Sequence, residues 1–382
     1  MPVNLAYGKM IQVTSQMRAN STQSLSGGET ERRNIQKRIS RNISKVAFLI
    51  VIIIVFLVFI LIWVIIPVSF MFSLNFQIFM VFFPIDSPRN ADFDHPETFG
   101  IEGVHNFHLT TKDYYDNSIS TSIGAWLVLH EDDINNITSN NVTEILETTQ
   151  RDILLYFHGV LCNRAKALDQ YRVLRKHFLI VAVDHRGYGD SGKNVRVGED
   201  GIVHDHIQIY DWVRSINPSS DFYYWGHSLG SALSAHTVRL IKELRSEVPK
   251  GLVLESPFTS IKDVLVNIVL GKIFSWLVYF DHTILAPLEE NGFHFRSKDN
   301  VIPIDCPIMI LHAEDDYVIP YFLGENLANI VKESRQAEQG DLVFHGISSD
   351  YGFGHNNIVF HPNIGTFIQD FKAVCRNFTD SS

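Results

Sequence analysis

One segment of the sequence, residues 46–66, contains 21 consecutive residues without a charged side chain. As an α-helix it would be roughly 31 Å long, which matches the hydrocarbon core of a bilayer. A helix of a soluble protein needs a polar face, and this segment has none. The run also begins too late and is too long for a cleaved signal peptide. The sequence therefore predicts one transmembrane helix over residues 46–66.

The residues before this span are basic. The first 45 residues hold eight Lys or Arg and two Asp or Glu. Six of these basic residues directly precede the span: Arg32, Arg33, Lys37, Arg38, Arg41 and Lys45. The positive-inside rule places this end in the cytosol, so we expect the chain after the span to be lumenal or extracellular. Residues 1–45 are predicted to be a disordered cytosolic tail, because Ser, Thr, Asn and Gly dominate before the basic cluster.

Other features of the composition agree with this arrangement. Glycosylation sequons begin at Asn136, Asn141 and Asn377, which is compatible with a lumenal domain. The whole chain has a net charge of −10 although its tail is basic, so the part after the span is strongly acidic. Phosphate binding needs the opposite charge, which argues against nucleic acid as a partner. Three cysteines are too few for a disulfide framework or a zinc site.

A second apolar segment, residues 68–83, follows the span. Asn75 and Gln77 interrupt it, and Pro67 breaks any helix that would continue from the span. We interpret it as an interfacial segment that lies on the bilayer, within a juxtamembrane region over residues 67–118. The alternative is a second crossing, which would return the rest of the chain to the cytosol.

After this region, apolar runs typical of β-strands alternate with helical patterns, which predicts an α/β domain over residues 119–380. The predicted strands are 122–130, 153–157, 179–183, 222–225, 252–254, 308–311 and 342–345, and the predicted helices lie near 203–215, 229–246, 322–333 and 363–375. Alternation of this kind is typical of parallel strands joined by crossover helices. Because several strands are wholly apolar, we expect a mostly parallel sheet that is covered by helices on both faces.

This alternation is interrupted at about residues 259–300, where an aromatic cluster occupies residues 273–280. An insertion at this point of a parallel sheet lies over the carboxyl ends of the strands, where ligands bind. We interpret it as a lid that suits an acyl chain. The alternative is ordinary packing of helices onto the sheet.

The clearest chemical motif is Gly226-His227-Ser228-Leu229-Gly230, a G-x-S-x-G pattern. It follows an apolar strand and precedes a helical run, which is the context that a nucleophile elbow requires. The glycines allow a strained turn that lifts the serine hydroxyl out of the sheet. Ser228 is therefore the predicted nucleophile.

A serine hydroxyl needs a general base, and that base needs an orienting acid. In the α/β-hydrolase fold these residues follow the nucleophile in the order acid, then histidine. Asp316 is the predicted acid, because it directly precedes an x-V-x-P stretch; the adjacent Asp315 remains the alternative.

Three histidines compete for the role of base. His355 lies in a glycine-rich loop after the last strand and before the final helix, from which it could reach the serine. His345 ends an apolar strand, and His361 precedes a proline at a helix start, so both suit structural positions better. We therefore predict that His355 is the base.

The oxyanion hole is predicted to combine the backbone N–H of Leu229 with that of Val160, in the loop after strand 153–157. The side chain of His158 in that loop is expected to be a structural hydrogen-bonding group rather than a second base. The sequence contains no metal-binding motif, Walker loop or G-x-G-x-x-G pattern, and we expect no cofactor or metal.

Taken together, these motifs resemble one family, the membrane-anchored α/β-hydrolase domain-containing lysophosphatidylserine lipases and monoacylglycerol lipases. The resemblance runs from about residue 120 to 375 and rests on HG at 158–159, DHRGYGDS at 184–191, GHSLG at 226–230, LESPFT at 254–259 and LHAEDD at 311–316. It implies Ser228, Asp316 and His355 as a triad whose site faces the lumen of the endoplasmic reticulum. Two positions depart from the family. Residues 160–163 replace the usual Asn and Gly of the oxyanion loop, and Tyr317 stands where proline is common.

Three functions remain open on this reading. The leading hypothesis is an esterase for single-chain lipids, such as lysophosphatidylserine, another lysophospholipid or monoacylglycerol. A thioesterase or a peptidase would use the same triad. A non-catalytic binding protein of this fold usually lacks a triad member, whereas this sequence offers a candidate for each.

Overall fold

The computed structural model describes the backbone of residues 3–381 and the side chains of residues 10–18, 20–21, 31–269 and 271–378. The first two residues of the predicted tail therefore lie outside the described residues. The chain forms two compact units, Met1–Pro67 and Val68–Ser382.

The first unit is helical. Helix α1 (Val3–Ile60) continues into a π-helical turn (Leu61–Ile65). Among the described residues, one helical stretch, Glu31–Phe72, is long and apolar enough to cross a membrane, and it contains the predicted span. The structure differs from the sequence prediction in the tail, where α1 is helical. No proline occurs between residues 3 and 66 to interrupt this helix.

An eight-stranded sheet forms the centre of the second unit. Its strands are β1 (Val104–Lys112), β2 (Ser120–Val128), β3 (Ile153–Phe157), β4 (Leu179–Val183), β5 (Phe222–His227), β6 (Gly251–Glu255), β7 (Ile308–Ala313) and β8 (Leu342–Ile347). The spatial order is β1-β2-β4-β3-β5-β6-β7-β8. The β1–β2 and β2–β4 pairs are antiparallel and all others are parallel. The predicted α/β class with a mostly parallel sheet is confirmed.

Helices cover both faces of this sheet. The helices that follow α1 are α2 (Ile66–Phe72), α3 (Leu74–Phe82), α4 (Val142–Thr148), α5 (Leu168–Leu174), α6 (Glu199–Ile216), α7 (Leu229–Arg245), α8 (Ile261–Asn267), α9 (Val269–Lys272), α10 (Ala286–Glu290), α11 (Ser297–Asn300), α12 (Tyr321–Ser334) and α13 (Ile364–Ser381). Alternate residues of β3 belong to two separate apolar clusters: Leu155 and Phe157 face one, and Leu154 and Tyr156 face the other. This alternation explains why the strand is apolar at every position.

Strand β1 was not predicted from the sequence. Its residues, VHNFHLTTK, contain few apolar side chains, and seven of the nine are partly buried or exposed. An edge strand with one partner does not need the continuous apolar pattern of a central strand. Its place in the sheet is set by pairing with β2, in which Val104 lies opposite Val128.

The apolar segment 68–83 packs into the core of the second unit. Phe82 at the end of α3 is fully buried, and its ring contacts the rings of Phe293 and Phe295 at centroid distances of 5.6 and 5.8 Å. The buried amide of Gln77 donates to the Phe70 carbonyl at 2.8 Å, which satisfies the polar group that interrupts the apolar run. At nine residues, α3 is about 14 Å long, too short to cross a bilayer.

Phe82→Ala is expected to destabilise the second unit by about 3–5 kcal/mol, because it removes a buried aromatic ring and leaves a cavity. Unfolding of the detergent-solubilised full chain, followed by tryptophan fluorescence, would measure this loss. Phe72→Ala is the matched control, since Phe72 is 78% exposed, and we expect a change within about 0.5 kcal/mol. Equal effects of the two changes would contradict the packing of α3.

Candidate active site

Ser228 occupies a strained turn between β5 and α7. Its backbone angles are φ 53° and ψ −118°, a conformation that non-glycine residues rarely adopt. The Ser228 N–H donates to the Glu255 carbonyl at 2.9 Å, which ties the turn to β6. A Cβ atom at Gly230 would lie 2.2 Å from the Phe157 carbonyl oxygen, so only glycine allows α7 to begin this close to β3.

The structure brings the predicted acid and base together. The Nδ1 atom of His355 lies 2.7 Å from Oδ2 of Asp316, and both residues are buried. The other carboxylate oxygen of Asp316 accepts hydrogen bonds from the backbone N–H groups of Val318 and Ile319, each at 2.8 Å. Asp316 is thus held rigidly: one carboxylate oxygen is bonded to the backbone of its own loop, and the other is bonded to His355.

The competing candidates lie in other environments. Asp315 accepts hydrogen bonds from the Gly354 N–H at 3.0 and 3.1 Å, so it holds the backbone of the histidine loop rather than the imidazole. The rings of His345 and His361 both stack on Phe367, at centroid distances of 3.9 and 4.9 Å.

Two further histidines support this arrangement, and sequence reasoning assigned neither. The Nε2 atom of His227, directly before the serine, lies 2.9 Å from the His355 carbonyl oxygen and donates to it. The Nε2 atom of His312 lies 3.2 Å from Oδ2 of Asp316. Each is a near neighbour in sequence of a predicted site residue, one position before Ser228 and four before Asp316. That proximity is the signal that could have identified them.

The two titratable partners differ in the direction of their pKa shifts. Burial raises the pKa of Asp316, but hydrogen bonds with His312 and His355 outweigh this effect and hold that pKa well below its ordinary 3.8. Burial lowers the pKa of His355 from 6.5, and Asp316 offsets this only in part. At neutral pH the pair therefore consists of an ionised carboxylate and a neutral imidazole, the state that a general base requires.

The loop after β3 passes directly beside the serine. A Cβ atom at Gly159 would lie 3.0 Å from Cβ of Ser228, so the next residue, Val160, is close to the turn. Leu229 is the first residue of α7, where backbone N–H groups have no partner within the helix. Leu161 departs from the family pattern at a structural cost, since its φ of 57° lies in the left-handed region that favours glycine.

Comparisons with known proteins agree with this geometry. A family model described as serine aminopeptidase, S33, matches residues 148–301. The chain is 32% identical to the lysophosphatidylserine lipase ABHD12 of Xenopus tropicalis, over 74% of this chain and 72% of that relative. It is 31% identical to the Rattus norvegicus protein of the same name, over 74% of this chain and 70% of that relative.

Among solved structures, the Pyrococcus furiosus esterase Pf2001 aligns with a TM-score of 0.47 and 14% identity, over 75% of this chain and 92% of that one. The family resemblance inferred from the sequence motifs is confirmed by the two close relatives. Its sheet is mostly parallel, it carries the G-x-S-x-G turn, and it is 31–32% identical to those two relatives over about 70% of their length, so this chain belongs to the ABHD12 family of α/β-hydrolases.

Proposed function

We propose that this chain is a membrane-anchored serine esterase that hydrolyses the carboxylic ester of single-chain lipids, with Ser228, Asp316 and His355 as its triad. The substrate class is lysophosphatidylserine or another lysophospholipid, together with monoacylglycerol. The observation that carries the proposal is the 2.7 Å contact between His355 and Asp316 at the edge of the sheet that also presents the strained Ser228 turn. Relatives named lysophosphatidylserine lipase support the choice of substrate.

The mechanism follows from this arrangement. Neutral His355 removes the Ser228 proton as the hydroxyl oxygen attacks the acyl carbonyl carbon. The backbone N–H groups of Leu229 and Val160 stabilise the oxyanion. Protonated His355, oriented by Asp316, then gives its proton to the leaving glycerol oxygen. Water, activated by the same histidine, releases the fatty acid from the acyl-enzyme.

The segment 259–300 is proposed to be a lid that faces the bilayer. Lys272 is the only charged residue between positions 264 and 280. Within this stretch the side chains of Val269, Trp276 and Val278 are 80%, 63% and 102% exposed. Exposed apolar and aromatic side chains with a flanking lysine are typical of surfaces that rest at a membrane interface. An acyl chain could then pass from the leaflet to the catalytic domain, residues 119–380, without crossing water.

The proposed topology has the N-terminus in the cytosol and the catalytic domain in the lumen of the endoplasmic reticulum. The basic cluster before the span supports this orientation by the positive-inside rule. The asparagines of two sequons, Asn136 and Asn141, are exposed on the catalytic unit and are therefore open to glycosylation.

The first test compares the wild type with Ser228→Ala in membranes. We expect the wild type to release fatty acid from lysophosphatidylserine or monoacylglycerol, and the variant to lose at least about 10³-fold in rate, because the acyl-enzyme cannot form. Mass spectrometry of the released fatty acid would measure this. The panel also contains other lysophospholipids, an acyl-CoA and a peptide.

Activity confined to the acyl-CoA would identify a thioesterase, and activity confined to the peptide would identify a peptidase. If the wild type equals the variant on every substrate and does not react with a fluorophosphonate, the chain is a binding protein. Any of these three outcomes would overturn the lipase proposal.

Asp316→Asn is expected to lower kcat by about 10³- to 10⁴-fold, because an amide neither orients His355 correctly nor stabilises its protonated form. Asp315→Asn is the matched control. Its amide oxygen can still accept from the Gly354 N–H, so we expect less than about a tenfold loss. Steady-state hydrolysis of a p-nitrophenyl ester would measure both. A larger loss in Asp315→Asn would reverse the assignment of the acid.

The pH dependence of kcat/KM should report His355. Burial lowers the pKa of this histidine from 6.5, so its neutral, proton-accepting form persists below that pH. We expect a rate that is constant from about pH 8 to pH 7 and falls with an inflection below 6.5 as the imidazole becomes protonated. Asp316, with a pKa held below 3.8, stays ionised throughout. An inflection above pH 6.5 would argue against this base.

A further inference from the structure

Three buried histidines form a chain behind the loop that follows β3. His158, His185 and His206 are at most 2% exposed. The Nε2 atom of His185 lies 2.9 Å from the His158 carbonyl oxygen. Its Nδ1 atom lies 3.0 Å from Nε2 of His206. The proposed triad uses none of these three histidines, although the hydrogen bonds that link them end at the backbone next to Ser228.

The direction of the hydrogen bonds in this chain follows from chemistry. A carbonyl oxygen only accepts, so Nε2 of His185 must carry the proton. Burial and the neighbouring histidines hold the pKa of His185 and of His206 well below 6.5, so both rings are neutral. Nδ1 of His185 therefore accepts from Nε2–H of His206. The remaining nitrogen of His206 lies 3.3 Å from the Thr237 hydroxyl, which also lies 2.8 Å from the Leu233 carbonyl.

The hydrogen bonds of these histidines end on the two peptide groups that precede the Val160 side of the loop, those of the His158 and Gly159 carbonyls. The His158 carbonyl is enclosed, because a Cβ atom at Gly230 would lie 2.7 Å from its oxygen. The Nδ1 atom of His158 lies 2.7 Å from the Gly159 carbonyl oxygen and donates to it. The Gly159 carbonyl and the Val160 N–H belong to one planar peptide group. The hydrogen bond that holds the carbonyl therefore also sets the direction of the N–H.

We propose that His185 and His206 are positioning residues that orient the oxyanion loop, through the His158 carbonyl, so that the Val160 N–H points at the oxyanion. The inference rests on the proposed function, since it assigns a support to the oxyanion hole of that reaction. Preorganised donors are effective because they do not reorient during the reaction, and a small misplacement weakens them strongly.

Aromatic packing is the competing explanation. The ring of His206 stacks on Phe157 at a centroid distance of 3.8 Å, and the ring of His185 stacks more distantly on the same phenylalanine. If packing alone mattered, both amide replacements at His185 would lower the free energy of unfolding, with no separate loss in kcat. The two amide residues separate these explanations, because glutamine places its NH₂ near the Nε2 position of histidine whereas asparagine reaches only the Nδ1 position.

The test therefore compares His185→Gln with His185→Asn in the full-length protein. We expect His185→Asn, which lacks the donor to the His158 carbonyl, to lose about ten- to hundredfold in kcat on a p-nitrophenyl ester with little change in KM. His185→Gln should stay within about threefold of the wild type, because it keeps the donor. The rate of fluorophosphonate labelling should fall in parallel, since the phosphoryl oxygen occupies the oxyanion position.

Two controls accompany this test. Thermal unfolding of each variant measures any loss of stability, and His345→Gln and His345→Asn make the same changes at a histidine that stacks on Phe367. If His185→Asn does not fold, His206→Gln and His206→Asn give the same comparison at the histidine that donates to His185. Equal losses in the Gln and Asn variants, or a wild-type kcat in His185→Asn, would overturn this inference alone. A wild type no more active than Ser228→Ala would instead overturn the proposed function, and this inference with it.

Discussion

The active site depends on one close approach of backbone to backbone, where the first turn of α7 meets the end of β3. No side chain fits at Gly230, because a Cβ atom there would overlap the Phe157 carbonyl. This approach holds Ser228 in its strained conformation and brings the loop at Gly159 against the serine. The strain persists because the turn is also tied to β6 through the Ser228 N–H. Ser228, the proposed nucleophile, and the loop at Gly159 are thus held by the same contact, and the loop of His355 is tied to the turn through a hydrogen bond from His227.

Buried ion pairs hold the segment DHRGYGDS, residues 184–191, in place. Arg186 is fully buried and pairs with Asp205 and Asp113. Arg164, also fully buried, pairs with Asp184 and Asp190 and lies 3.8 Å from the ring of Phe93. Buried charges persist only when they are paired and hydrogen-bonded, and removing one partner is far more costly than removing both. The motif therefore has a structural role, since it fixes the loop that carries His185 against the back of the oxyanion loop.

The proposed lid and the helices α2 and α3 contribute to one apolar cluster of the second unit. Phe70 of α2 and Phe82 of α3 share this cluster with Phe293 and Phe295 of the proposed lid. A hydrogen bond from Asn291 to Gln77, 2.9 Å long, joins the same two segments. The proposed lid therefore packs against residues that follow the apolar span closely in sequence.

The sequence by itself determined the apolar span, the α/β class, most central strands to within two residues, and the family. Each of these depends on local patterns: uncharged length, apolar runs, or short motifs such as GHSLG. The candidate triad was also predicted from order and local context. The sequence did not determine β1, the packing of α3, or the partners of the supporting histidines. These depend on contacts between residues far apart in the chain, such as His227 with His355 and His158 with His185 and His206. Only the tertiary structure decided them, because no local pattern shows which polar groups will share a buried hydrogen bond.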